Sequence, residues 1–191
     1  MNRLSTALCR SLLGLAAATA TCGAALAAEG AAVATSTATS VATPSVTGPV
    51  RRVLTARLRV TETVLFTGLP PCFAYSTVQG TGTSNVLGNL RVNATDCVNP
   101  EGGFTPGGLN HLSFASLPGT LVFTTANGER IHASYSGTVD PWGRLRGHFV
   151  VTGGTGTYFG ATGGGTLSGQ MDLSQIVTAQ GLIDAAGEIT Y

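Results

Sequence analysis

The chain has 191 residues and is close to electroneutral, with 10 basic and 9 acidic side chains and a formal net charge of +1. A face that binds nucleic acid needs strongly basic character, so this balance argues against a nucleic-acid partner. Only 10% of the residues are charged, whereas 27 are glycine, a composition typical of short strands with tight turns or of disorder.

The first 27 residues have the pattern of a secretory signal peptide. Arg3 and Arg10 supply a positive n-region, and residues 11–20 form an apolar segment too short to span a bilayer. Small residues at the −3 and −1 positions predict cleavage after Ala27 and a secreted or periplasmic mature protein. Two alternatives stay open: a short apolar helix retained in the fold, and lipidation at Cys22, which lacks the usual aliphatic residue before it.

Residues 28–50 consist mainly of Ala, Thr, Ser, Val and Pro and are almost uncharged. Because this segment has no large apolar side chains to anchor it in a core, we predict a disordered tether. The folded domain is then predicted for residues 51–191, long enough for one core that buries about two-thirds of the extended chain's surface. No apolar run after the signal peptide approaches ~18 residues, so no transmembrane span is predicted.

From residue 51 onward, apolar and polar residues alternate with period two, as in strands with one buried face. The first strand alternates from Leu54 to Val60, a turn is predicted at residues 80–83, and Asn127-Gly128 predicts a hairpin. About eight short strands joined by consecutive hairpins predict an all-β fold. We expect a single eight-stranded, mostly antiparallel up-and-down barrel, since closure also removes exposed strand edges.

Two cysteines, Cys72 and Cys97, lie in the predicted domain. In an oxidising compartment an isolated pair most simply forms a disulfide bond. Two thiols without nearby histidines provide only half of a zinc site, and no Cys-x-x-Cys redox motif is present. The sequence therefore predicts a Cys72–Cys97 disulfide and no metal site.

A glycine-rich segment, GGTGTYFGATGGGTLSG, occupies residues 153–169. Gly153 can break a strand, and we expect Phe159 and Ala161 to pack a short turn against the barrel end. The segment resembles the allene oxide cyclase barrel-like family of small secreted bacterial proteins, which have plant dirigent proteins as structural cousins. Thr157 stands where related bacterial sequences often carry arginine. The resemblance implies the barrel and allows a homo-oligomer, but it says little about activity, because such glycines shape the backbone.

Cofactor binding is not indicated by this glycine-rich segment. A phosphate-binding loop needs a Gly-Lys-Ser/Thr sequence, or a glycine pattern between a strand and a helix. The chain contains no lysine and no helical periodicity follows the segment, so we predict no cofactor.

Glu62 breaks the pattern of the first strand, because counting by twos places it inward among aliphatic residues. A buried carboxylate is costly and its pKa rises, which makes Glu62 a candidate catalytic residue. By resemblance, allene oxide cyclases also use an inward glutamate on an early strand. The alternative is a bulge or strand end that returns the carboxylate to water. We predict Tyr75, Asn85 and Asn89 as ligand-binding residues near Glu62.

Two classes of function stay open. The first is a non-catalytic exported module that holds a small apolar ligand or a partner at the barrel lumen or rim. The second is a cofactor-independent cyclase or isomerase resembling allene oxide cyclase, in which Glu62 supplies charge or a proton relay. The first is favoured, because cyclase chemistry needs polar groups inside the cavity and the alternation pattern places only Glu62 there.

Overall fold

The computed structural model describes residues 48–101, 111–175 and 177–191. The predicted signal peptide and residues 28–47 of the predicted tether lie outside this part of the chain. The described residues form nine strands: β1 (Arg51–Leu69), β2 (Cys72–Ser84), β3 (Gly88–Pro100), β4 (Leu112–Ser116), β5 (Leu121–Thr125), β6 (Arg130–Val139), β7 (Arg144–Gly154), β8 (Thr162–Asp172) and β9 (Thr178–Thr190). A 3-10 turn, Gly156–Tyr158, precedes β8. None of the helical structure in these residues is long and apolar enough to cross a membrane.

The nine strands close into a barrel with eight positions around its wall. Apart from β4 and β5, strands that follow each other in the chain pair antiparallel, and the barrel closes where β1 pairs with β9. β4 and β5 share one position, each pairing with β3 on one side and with β6 on the other. The predicted eight-stranded, antiparallel up-and-down barrel is therefore confirmed.

Thr120 bridges the break between β4 and β5. Its Oγ1 accepts a hydrogen bond from the amide of Thr95 at 3.2 Å and lies 2.9 Å from the Thr95 carbonyl oxygen. A side-chain hydroxyl thus satisfies backbone groups of β3 at the point where strand pairing is interrupted.

The prediction of a turn at residues 80–83 is wrong, because this segment continues β2. A Cβ atom on Gly80 would lie 2.4 Å from the backbone oxygen of Arg59, and one on Gly82 would lie 2.1 Å from that of Arg57. These glycines therefore mark a close approach of β2 to β1. The chain turns at residues 85–87 instead.

One end of the barrel is filled by side chains. Tyr158 is buried and its ring packs edge-on against Tyr191, with the ring centroids 4.9 Å apart. Ala161 is fully buried as expected, but the prediction that Phe159 packs here is wrong, since it is 84% exposed. Phe159 follows the 3-10 turn as its C-cap residue and has left the helical conformation, with φ −59° and ψ 127°.

A disulfide bond joins the start of β2 to β3. The Sγ atoms of Cys72 and Cys97 are 2.11 Å apart and their Cα atoms are 5.1 Å apart. The predicted cysteine pairing is therefore confirmed, and the bond cross-links two strands that line the barrel interior.

Candidate functional site

The barrel encloses a cavity of about 200 Å³, lined mostly by aliphatic and aromatic residues from all nine strands. Leu58 and Val92 are the lining residues of β1 and β3 nearest the end closed by Tyr158. At the end opposite Tyr158 its lining includes Phe66, which is 48% exposed and packs edge-on against Phe73 at 6.0 Å. The cavity therefore reaches the surface at that end. Because a cavity of about 150 Å³ can hold benzene, this one has room for a small organic molecule.

Two carboxyl groups, from Glu62 on β1 and Asp96 on β3, face this cavity. β1 pairs with β2 without a register shift from Ala56 to Phe66, so no bulge turns Glu62 outward. Asp96 is only 3% exposed. The inward orientation predicted for Glu62 is therefore present in the structure, and a second acid accompanies it.

Two further polar side chains complete this group. The phenol of Tyr135 on β6 donates a hydrogen bond to the carboxylate oxygens of Asp96. Ser76 lies opposite Asp96 on β2, is 1% exposed, and its Oγ has no hydrogen-bond partner of normal geometry. It is nevertheless close enough to both carboxyl groups to lower their pKa values. We refer to Glu62, Ser76, Asp96 and Tyr135 as the acidic cluster.

Burial dominates the electrostatics of the acidic cluster. Desolvation raises the pKa of Glu62, and the Ser76 hydroxyl opposes part of this rise. Desolvation also raises the pKa of Asp96 to about 7, with the Tyr135 hydrogen bond opposing and the charge of Glu62 adding to the rise. Burial and the nearby carboxylates raise the pKa of Tyr135, so its phenol stays protonated and acts as a donor.

Positive charge lies on the outside of the barrel. All eight arginines among the described residues are exposed. None of the salt bridges found in this part of the chain involves Glu62 or Asp96. The described residues also contain no group of three or more His, Cys, Asp or Glu side chains placed to hold a metal ion. The two carboxyl groups are therefore stabilised by hydroxyl groups and protons rather than by a side-chain cation.

The three residues predicted to bind ligand beside Glu62 lie outside the cavity. Tyr75 lies on the outward-facing side of β2. Asn85 lies in the β2–β3 turn, where its Oδ1 accepts a hydrogen bond from the amide of Thr55 at 2.8 Å, and Asn89 is exposed. The prediction that Asn85 and Asn89 lie near Glu62 is wrong, because β2 extends past residues 80–83 and the turn falls later in the chain.

Sequence reasoning missed Asp96, Ser76 and Tyr135 as members of the site. A signal for Asp96 was present, because the alternation of Leu90, Val92 and Ala94 places it inward when extended by one step. β3 continues to Pro100, so Asp96 lies within this strand and keeps its alternation.

Comparison with protein-family models, curated proteins and solved structures finds no match for this chain. The resemblance to allene oxide cyclase barrel-like proteins therefore rests on the pattern of residues 153–169. In the structure these residues form the end of β7, the 3-10 turn and most of β8, and of them only Leu167 lines the cavity. The segment shapes the barrel and its closed end and does not contribute to the acidic cluster.

Proposed function

We propose that this protein is an exported binding module that holds a small, largely apolar molecule inside its barrel. The observation that carries this proposal is an apolar cavity of about 200 Å³ whose ionisable lining groups, Glu62, Asp96 and Tyr135, come from β1, β3 and β6. Apolar cavities with a few convergent polar groups are the usual form of small-molecule sites. Export is part of the proposal because of the signal-peptide pattern that ends at Ala27.

The cavity wall has two chemically different sides. The ionisable groups of the wall come from β1, β3 and β6, whereas β7, β8 and β9 contribute apolar side chains such as Phe149, Leu167 and Ile183. The apolar part of a ligand packs against the side chains of β7, β8 and β9, while one polar group of the ligand contacts the acidic cluster. Each buried methylene contributes about 0.8 kcal/mol, so a ligand of eight or so carbons would bind in roughly the micromolar to millimolar range after association costs.

Ligand binding in the cavity is tested by a substitution on β9 whose larger side chain fills part of the cavity. Ala179 on β9 is buried and lines the cavity, and its neighbour Gln180 is exposed on the outer face. We expect Ala179→Leu to weaken binding of 1-octanol, measured by isothermal titration calorimetry, at least about tenfold. Gln180→Leu, the matched control, should bind as the wild type does. Equal binding by Ala179→Leu, with its fold verified by circular dichroism, would place the ligand elsewhere.

Export is tested separately by N-terminal sequencing of the protein recovered outside the cytoplasm. We expect the mature chain to begin at Ala28. A chain that retains Met1 would contradict this part of the proposal.

A second candidate function is a cofactor-independent cyclase or isomerase, and the pKa of about 7 at Asp96 favours it. An acid with a pKa near the working pH is well suited to general acid–base catalysis, and Glu62 lies in the same cluster. In this case Glu62→Gln and Asp96→Asn should abolish the isomerisation of a lipid-like epoxide, whereas Tyr75→Phe should leave its rate unchanged. Undiminished turnover by either cluster variant would contradict this function.

A further inference from the structure

We propose that the ligand of this cavity is a small apolar amine, bound as its ammonium ion by the carboxylates of Glu62 and Asp96. This inference rests on the proposed binding function and specifies the class of ligand. It follows from the charge of the lining, the hydrogen-bonding capacity of the acidic cluster and the position of that cluster within an apolar cavity.

The lining carries negative charge only. Glu62 and Asp96 are the ionisable carboxyl groups among the described residues that line the cavity, and no arginine or histidine is among those residues. A fatty acid would bring a third carboxylate beside them, where the low dielectric strengthens repulsion. A cation instead provides the opposite charge that buried carboxylates need.

The acidic cluster offers acceptors in the number that an ammonium group requires. A primary ammonium carries three N–H donors and no acceptor, as lysine does. The carboxylates of Glu62 and Asp96 supply acceptors, and Tyr135 already donates to Asp96 and so holds that carboxylate in place. An alcohol has a single donor and can satisfy only one of the two carboxylates.

Ser76 adds a buried hydroxyl group beside the two carboxyl groups. Its hydroxyl is buried, lies beside both carboxyl groups and makes no hydrogen bond of normal geometry. Buried hydroxyl groups without partners are rare because they are costly. When a guest cation holds both carboxyl groups ionised, the Ser76 hydroxyl gains a stronger acceptor and donates to one of them.

Binding of an ammonium ion must compete with protons on the cluster. The titratable side chains that face the site are Glu62 on β1, Asp96 on β3 and Tyr135 on β6, and the lining residues of the remaining strands are uncharged. The pKa of Asp96, about 7, means that this carboxyl is partly protonated near neutral pH and must lose its proton to bind the cation. Binding should therefore tighten as the pH rises from 6 to 8, a range in which alkylamines stay protonated.

Three probes with the same chain length test the proposal: octylammonium, 1-octanol and octanoate, titrated calorimetrically into the folded protein at pH 7.5. We expect octylammonium to bind at least about tenfold more tightly than 1-octanol, and octanoate to bind most weakly. Glu62→Gln and Asp96→Asn should each weaken octylammonium at least about tenfold and change 1-octanol by less than about threefold. The control Asp184→Asn removes an exposed acid of β9 and should change neither.

The outcomes separate this inference from the function on which it rests. If none of the three probes binds, the proposed cavity function itself fails. If 1-octanol binds and octylammonium binds no better, or octanoate binds as tightly, the amine preference is wrong and the cavity function stands. Because Asp96→Asn could perturb folding, Glu62→Gln provides a second variant at a less buried position, and each variant's unfolding transition is measured first.

Discussion

Tyr135 donates a hydrogen bond to Asp96 across the β4 position of the barrel, although their strands, β6 and β3, are not paired with each other. The two residues are 39 positions apart in the sequence. This contact spans the barrel position where β4 gives way to β5, so it ties together the two sides of an interrupted strand.

Removal of the Tyr135 hydroxyl should destabilise the fold. Tyr135→Phe leaves Asp96 buried without its principal donor, at a cost of about 1–3 kcal/mol in the free energy of unfolding. Urea denaturation measures this loss. The matched control is Tyr75→Phe on the outer face, which we expect to stay within about 0.5 kcal/mol of the wild type. Equal stability of the two variants would show that the hydrogen bond contributes little.

Stability should fall as the pH rises from about 4 to 7. The pKa of Asp96 is raised from 3.8 to about 7 in the folded protein, so in this range the native state binds more protons than the unfolded state. The free energy of unfolding then decreases with rising pH, by up to about 4 kcal/mol for this group. The raised pKa of Glu62 acts in the same direction.

The contribution of Asp96 to this pH dependence is measured by comparing the wild type with the Asp96→Asn variant. Unfolding free energies of the wild type and Asp96→Asn should differ in slope between pH 4 and 7, with the variant showing the flatter profile. Asp184→Asn, on the outer surface, serves as the control for removal of an acidic group. Parallel profiles for the wild type and Asp96→Asn would contradict the raised pKa.

The Cys72–Cys97 bond should contribute substantially to stability. It closes a loop between residues 25 positions apart, which corresponds to about 3 kcal/mol of unfolded-state entropy. The Cys72→Ser/Cys97→Ser double variant should unfold at a correspondingly lower urea concentration. Wild-type protein treated with reductant should match it, and an unchanged midpoint in both samples would refute the expectation.

Gly137 should not tolerate a side chain. A Cβ atom there would lie 2.2 Å from the backbone oxygen of Arg146 and 2.7 Å from Cζ of Phe114, which lines the cavity. We expect Gly137→Ala to lower the free energy of unfolding by about 1–3 kcal/mol through overpacking. Gly48, where an added Cβ atom would have no neighbouring atom within 4 Å, gives the control Gly48→Ala. Similar unfolding midpoints for the two variants would mean that the strands can separate without cost.

The barrel could be predicted from sequence because a closed sheet with a buried interior imposes period-two alternation on every strand. The same signal placed Glu62 inside. The alternation pattern did not identify residues 80–83 as part of a strand. Gly80 and Gly82 were interpreted as a turn signal, whereas they allow β2 to pack closely against β1. The alternation pattern could not predict the acidic cluster as a whole. Alternation describes one strand at a time and cannot show that Asp96 and Tyr135 are in contact across a third strand.

The mouth of the cavity has a consequence for the speed of binding. Phe66, Phe73 and Leu112 lie between the surface and the acidic cluster, and Phe66 is about 13 Å along β1 from Glu62. A charged group entering there must shed its water against apolar rings before it reaches a carboxylate, and must cross the same barrier to leave. Association should therefore fall well below the diffusion limit, and the residence time of a bound guest should be long for its affinity.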